Sequence, residues 1–514
     1  MIRTWLCALG ALLSICVQAA GAPQDAETLA QFKKYFRQYK DTPTRVEAVL
    51  TLQGLEDPSV VEALAPVLKD PESEVVRAAV RVLSGFKSRE PVEAMTAALR
   101  AEKSEAIRVG YLRALTDGKY SGVSAAFAAC LADKSWEIKR HAIAALGAAG
   151  DASHATAIAP LCADPEPAVR SSAIGALAQL ASELVVAPAI ASLQDDVWQV
   201  RTTAIQALAK VRSPSAIPPL IERLKVEEGR LVPEIAETLA SLSGKEYGAD
   251  AAKWSDWWAQ NREGYVLPKP EAVAFLRGKR EARTGAGPSN YYKSGPVQYH
   301  GIDTPSRSII FVIDVSGSME AQVTERERFL AGNYPSLSRI DIVKTELIRT
   351  LDHLDPAVNF NILAFATKVD PWKKKLVPAN VLNKSAAKDW VKTLDAIGGA
   401  SKADLAVVGL AASASLDLGK TNTYSALMTA LGVDAGPRTG PADYTVQVDT
   451  IFFLSDGRPT AGDFVDPDDI LREVKSVNEL RKVVIHTIAI GEFQKDFMRR
   501  IAELNGGVFV DLGK

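Results

Sequence analysis

The most constraining feature of this 514-residue chain is a repeat in its first half. The segments AVLTL, AVRVL, YLRAL, AIAAL, AIGAL, AIQAL and IAETL close on Leu52, Leu83, Leu115, Leu146, Leu177, Leu208 and Leu239, at intervals of 31 or 32 residues. Cations keep the register. Arg45, Arg108, Lys139, Arg170 and Arg201 stand seven residues before the leucine, with Arg77 one place out of line. Acids stand thirteen before it: Asp70, Glu102, Asp133, Asp164 and Asp195. A period of 31 residues holds two helices of about twelve residues and two short turns. One such hairpin cannot bury its apolar stripe alone, but a stack can, so an α-solenoid is expected. Each turn acid is expected to cap a helix start or to pair with a neighbouring cation. The alternative is a basic column that binds an anionic partner.

The turn acid and the helix cation resemble those of short HEAT-type repeats over residues 42–243. That resemblance implies a scaffold or docking surface. Residues 26–40 read as an amphipathic capping helix, which places the solenoid at 26–243. The last repeat has Val232 where the cation belongs and Pro233 beside it, as expected where a stack ends. A connector at 244–305 follows. In it Trp254, Trp257 and Trp258 share one face of a short helix, whose expected role is packing at the end of the stack. The run RGKREARTGAGPSNYYKSG then reads as a basic, Gly-rich linker.

Residues 1–20 have the form of a signal peptide. Arg3 supplies the positive start, Trp5 to Val17 the apolar run, and Val17-Gln18-Ala19 the small-x-small cleavage pattern. A lipoprotein site at Cys16 is the second reading of this segment. The mature chain is therefore expected to be exported, to the periplasm, cell surface or medium, without a transmembrane span. Cleavage leaves only Cys130 and Cys162, expected as buried thiols rather than a disulfide framework. Lys plus Arg number 60 against 62 Asp plus Glu, so no strong positive field exists to hold nucleic acid.

Beyond Pro305 the pattern changes. Apolar runs SIIFVID (308–314), FNILAF (360–365), TIFFLSD (450–456), VVIHTIAIG (483–491) and GVFVDL (507–512) alternate with helical periodicity. Unbroken apolar strands belong in a parallel sheet covered on both faces. A doubly wound, Rossmann-like α/β domain is expected over 306–514, with ligands bound beyond the carboxyl ends of its strands. Two strands end in an acid: Asp314, followed by Val315-Ser316-Gly317-Ser318, and Asp456. A third polar segment, Gly419-Lys420-Thr421-Asn422-Thr423, opens a helix. All these donors are hard oxygens without His or Cys, which suits magnesium, manganese or calcium.

FVIDVSGSM, GKTNTYSAL and FFLSDGRPT together resemble a von Willebrand factor type A domain with its metal-ion-dependent adhesion site. The resemblance maps the DxSxS element onto Asp314, Ser316 and Ser318, the distal Thr onto Thr421 and the distal Asp onto Asp456. Ser401, in the stretch GGAS, is a second candidate for the Thr421 role. Largely neutral hydroxyl ligands would leave the cation with positive charge and an open position, suited to a carboxylate from a protein partner. An exported binding or adhesion protein, not an enzyme, is the expectation. The alternatives are a metal-stabilised scaffold whose solenoid alone binds partners, and a metal-dependent hydrolase. There is no P-loop, HExxH or GxGxxG after a first strand, and the five His make no catalytic spacing. The insert 432–449 lies near the proposed site and is expected to shape partner choice.

Overall fold

The computed structural model describes residues 22–274, 297–324, 326–330, 332–397, 419–433, 446–456, 458–491 and 495–512. The signal segment 1–20 with Cys16, Ser401, most of the basic linker and most of the insert 432–449 lie outside the described residues. The chain divides into two compact units, Met1–Val185 and Val186–Lys514.

The first unit is a helical repeat. Its helices, among them Ser73–Leu83, Glu105–Asp117, Trp136–Ala149 and Pro167–Gln179, pack on their predecessors along the chain. Their buried stripes are the apolar positions of the repeat, and Leu52, Leu83, Leu115, Leu146 and Leu177 are almost wholly enclosed. The turn acids both bind backbone and pair with cations. Asp70, Asp133 and Asp164 each accept the backbone N–H two residues on, at 3.0, 2.8 and 2.9 Å. This is an Asx turn delivering the chain into the next helix. The other oxygen of each meets the cation 25 residues earlier: Arg45 for Asp70, Arg108 for Asp133 (2.7 Å), and Lys139 for Asp164. Cys130 and Cys162 are buried free thiols, as expected, and burial pushes Cys162 up to about 12.

The second unit starts with the last repeats, including helices Trp198–Val211, Ile217–Leu224 and Leu231–Ser243. The pairing motif continues: Glu227, one place out of register, accepts from Arg201 at 3.0 Å and Arg223 at 2.7 Å. Helix Ala251–Asn261 packs on Ile217–Leu224. Trp254 is fully enclosed and donates to the Gly248 carbonyl at 2.8 Å, and Trp257 and Trp258 stack edge-on against Tyr265. The aromatic stripe is packing.

An α/β domain follows. Its strands are β1 (Val297–Tyr299), β2 (Ile302–Thr304), β3 (Ser308–Asp314), β4 (Asn359–Phe365), β5 (Val369–Pro371), β6 (Val377–Pro378), β7 (Thr450–Ser455), β8 (Val484–Ala489) and β9 (Phe509–Asp511). Its main helices are α1 (Arg339–His353), α2 (Val381–Lys392), α3 (Thr423–Ala430), α4 (Pro467–Arg481) and α5 (Lys495–Leu504). Among the described residues the sheet order is β5-β4-β3-β7-β8-β9, with β6 also on β4. β4, β3, β7, β8 and β9 run parallel, and β5 and β6 pair antiparallel with β4. One core lies on each face, which is why β3 and β7 read as unbroken apolar runs. The hairpin β1–β2, within the stretch read as connector, adds Val297, Tyr299 and Ile302 to one of these cores. The last repeats are tied to the sheet's amino-terminal end: Trp198 donates to the Val446 carbonyl at 3.1 Å and Arg230 to the Lys482 carbonyl at 2.6 Å. His486 is structural, buried and accepting from the Val508 N–H at 3.0 Å, and burial lowers it to about 4. Among the described residues no helix is long and apolar enough to cross a membrane.

Candidate metal centre

The two central strands β3 and β7 are neighbours, with Ile313 opposite Leu454, so Asp314 and Asp456 emerge side by side at the carboxyl edge. Asp314 Oδ1 accepts the Ser316 N–H at 2.8 Å and Oδ2 accepts the Ser455 hydroxyl at 2.5 Å. Ser316 Oγ lies 3.2 Å from Ser318 Oγ, and Ser318 Oγ donates to Asp456 Oδ1 at 2.7 Å. Asp314, Ser316, Ser318 and Asp456 thus form one connected hydrogen-bonded group, joined at Asp314 through the Ser316 N–H and elsewhere through side-chain oxygens. Ser316 stands at the N-cap of the short helical turn Gly317–Glu320, yet its side chain makes no capping bond. Helix capping does not account for that hydroxyl.

The third segment arrives through backbone. The Gly317 N–H donates to the Gly419 carbonyl at 3.0 Å, bringing the loop before α3 against the loop after β3. Thr421 is buried in it. Its N–H donates to Thr460 Oγ1 at 2.9 Å, and its carbonyl accepts from the Thr460 N–H at 2.9 Å and the Ala461 N–H at 3.2 Å. Asn422 Oδ1 caps α3 by accepting the Ser425 N–H at 3.0 Å. That cap leaves no room for a side chain at Gly462, whose φ is +103° and whose Cβ would stand 2.1 Å from Asn422 Oδ1. Thr421 therefore reaches the centre's loops through main-chain bonds, whereas Ser316, Ser318 and Asp456 are linked through side chains and Asp314 accepts the Ser316 main-chain N–H. Thr423 Oγ1, two residues on, is buried without a hydrogen-bond partner.

Sequence reasoning missed Arg339, the first residue of α1. It is buried and ion-paired with Asp456 Oδ2, while its Nη1 lies 3.4 Å from the Ser318 carbonyl. A cation at a helix N-terminus opposes the helix dipole, and that anomaly was the available signal. Ser455, which bonds Asp314, was also missed.

The electrostatics leave an uncompensated charge. Burial, and then the charge of Asp456, pushes Asp314 up to about 7, against hydrogen bonds from Ser316 and Ser455. Burial also raises Asp456, against Ser318 and Arg339. Asp456 has the Arg339 guanidinium, whereas among the described residues no cation pairs with Asp314, so two buried carboxylates face one positive charge, an imbalance in a poorly solvated place. A divalent cation would relieve it, and the donors at hand are carboxylate and hydroxyl oxygens. Among the described residues no group of three or more His, Cys, Asp or Glu is placed to hold a metal. The residues fit a hard cation bound by mixed oxygens.

The HEAT repeat family model matches residues 29–116 and 156–240, and the von Willebrand factor type A domain model matches 333–511. The second match includes Thr421 and Asp456 and begins after Ser318. Inter-alpha-trypsin inhibitor heavy chain H4 of Homo sapiens is 25% identical over 209 residues, which cover 40% of this chain and 18% of that one. Inter-alpha-trypsin inhibitor heavy chain H6 of Homo sapiens is 27% identical over 215 residues, 40% of this chain and 13% of that one. This chain thus spans under a fifth of the length of either relative. Among solved structures, a von Willebrand factor type A protein from Catenulispora acidiphila is 18% identical, covers 40% of this chain and 38% of its own, and has a TM-score of 0.24. BatB from Bacteroides thetaiotaomicron is 15% identical, with coverages of 40% and 89% and a TM-score of 0.26.

Proposed function

We propose that this chain, which carries HEAT repeats followed by a von Willebrand factor type A domain, captures a protein partner through a divalent cation. Ser316, Ser318 and Thr421 would hold magnesium, or manganese or calcium, through hydroxyl oxygens, with Asp314 and Asp456 acting partly through water. The bound cation supplies an open, positively charged position for an acidic side chain of the partner. The observation that carries this reading is the meeting of Asp314, Ser316, Ser318 and Asp456 in one hydrogen-bonded group, where two buried carboxylates face a single ion-paired cation. The matched von Willebrand region supports an interaction role rather than catalysis. The solenoid serves as scaffold or second docking surface, and residues 1–20 direct export.

The test is partner capture by the immobilised full chain with magnesium and with chelator. Capture should need the metal and should fall at least a hundredfold in Asp314→Ala. Equal capture by that variant, with its fold intact, would transfer partner binding to the solenoid and leave the α/β domain a metal-stabilised scaffold.

A further inference from the structure

We propose that Arg339 sets the residual charge of the centre, weakening its hold on the metal so that the loaded site carries one positive charge and selects a single carboxylate. This rests on the metal-dependent reading above. Arg339 is placed by structure around it, not by its own exposed flexibility. Its backbone N–H donates to the Ala321 carbonyl at 3.0 Å, and its guanidinium engages Asp456 Oδ2 and lies 3.4 Å from the Ser318 carbonyl. Its Nε is buried without a hydrogen-bond partner. Gly491, just beyond β8, makes the seat. Its φ is +133°, and a Cβ there would come within 3.1 Å of the guanidinium carbon. The backbone conformation disfavours any L side chain, and the missing side chain leaves the space that the guanidinium fills.

The charge arithmetic follows from these contacts. With both ionised, Asp314 and Asp456 bring two negative charges and Arg339 one positive, so the protein groups sum to minus one and a divalent ion would bring the centre to plus one. Without Arg339 the loaded centre would be neutral, with little attraction for an anion. Arginine suits the task because its charge is permanent and its fork leaves one oxygen of Asp456 to Ser318. A fixed charge within several ångströms of a divalent ion would be worth about a factor of ten in affinity, even well screened. A monoanionic carboxylate then neutralises the loaded centre.

The experiment uses the full chain and three proteins: wild type, R339Q and R339K. Magnesium chloride is titrated calorimetrically. Sodium acetate, standing for the partner carboxylate, is then titrated into manganese-loaded protein and read by water-proton relaxation. R339Q should bind magnesium about tenfold more tightly and, once loaded, acetate about tenfold more weakly. R339K keeps the charge and should stay within about threefold of wild type on both. Circular dichroism establishes that each variant is folded. Equal or weaker magnesium binding by folded R339Q overturns the proposal and leaves the metal-dependent reading standing. If R339Q does not fold, a more than tenfold change in R339K overturns it instead, because geometry rather than charge would then govern. No divalent uptake by wild type removes the metal-dependent reading itself, and this inference with it.

Discussion

The helical array and the α/β centre both place buried acids next to cations, with opposite outcomes. In the array the pairings of Asp70, Asp133 and Asp164 are closed. Asp70, Asp133 and Asp164 each spend one oxygen on a backbone N–H and the other on a cation from the preceding repeat. The arrangement recurs with the period and leaves no charge to offer. In the centre Arg339 pairs with Asp456 alone among the described residues, and burial, with the neighbouring Asp456, pushes the Asp314 carboxyl up to about 7. Periodic, compensated charge is architecture here, and singular, uncompensated charge is the candidate for function.

That contrast predicts which substitutions change stability and which change metal response. The largest stability loss should come from Trp254→Ala, which empties a fully enclosed site in the helix packed against the last repeats. We expect about 3–5 kcal/mol in urea unfolding, with magnesium uptake unchanged. Next is Asp164→Ala, which strands Lys139 and opens an Asx turn. The expected cost is about 2–4 kcal/mol, again without effect on uptake; a loss of metal binding here would end the separation of the two roles. Asp314→Ala should do the reverse. Wild type at a hundred times its dissociation constant of magnesium should gain about 2.7 kcal/mol in stability, and the variant should gain none.

The pH dependence has a definite sign. Folding raises the Asp314 carboxyl to about 7, against about 3.9 in the unfolded chain. Its protonated form therefore favours the fold. In the metal-free chain that contribution is complete below the unfolded value and is lost as pH rises through about 7. Thermal melts without metal should decline over this window, and saturating magnesium should remove the decline. The smallest effect belongs to the exposed pair Lys392–Asp389, where Asp389→Ala should shift stability by less than about 0.5 kcal/mol.

Much of this was legible in the sequence because it depended on local pattern. Strands β3, β4 and β7 fall within a residue of their apolar runs. The acid and cation columns were visible because they repeat, although Glu227 escaped by standing one place out of line. The hairpin β1–β2 and edge strands β5 and β6 were missed, since two or three residues carry no readable alternation. Arg339 was missed for another reason. Its partner Asp456 is 117 residues away, and only the order of strands brings them together.

The most direct test of the central claim is manganese uptake by the full metal-free chain, counted by electron paramagnetic resonance in wild type and in Ser316→Ala. We predict one ion per chain, displaced by magnesium, and at least a tenfold loss of affinity on removing that hydroxyl. Uptake of no ion, or equal uptake by both proteins, would contradict the account.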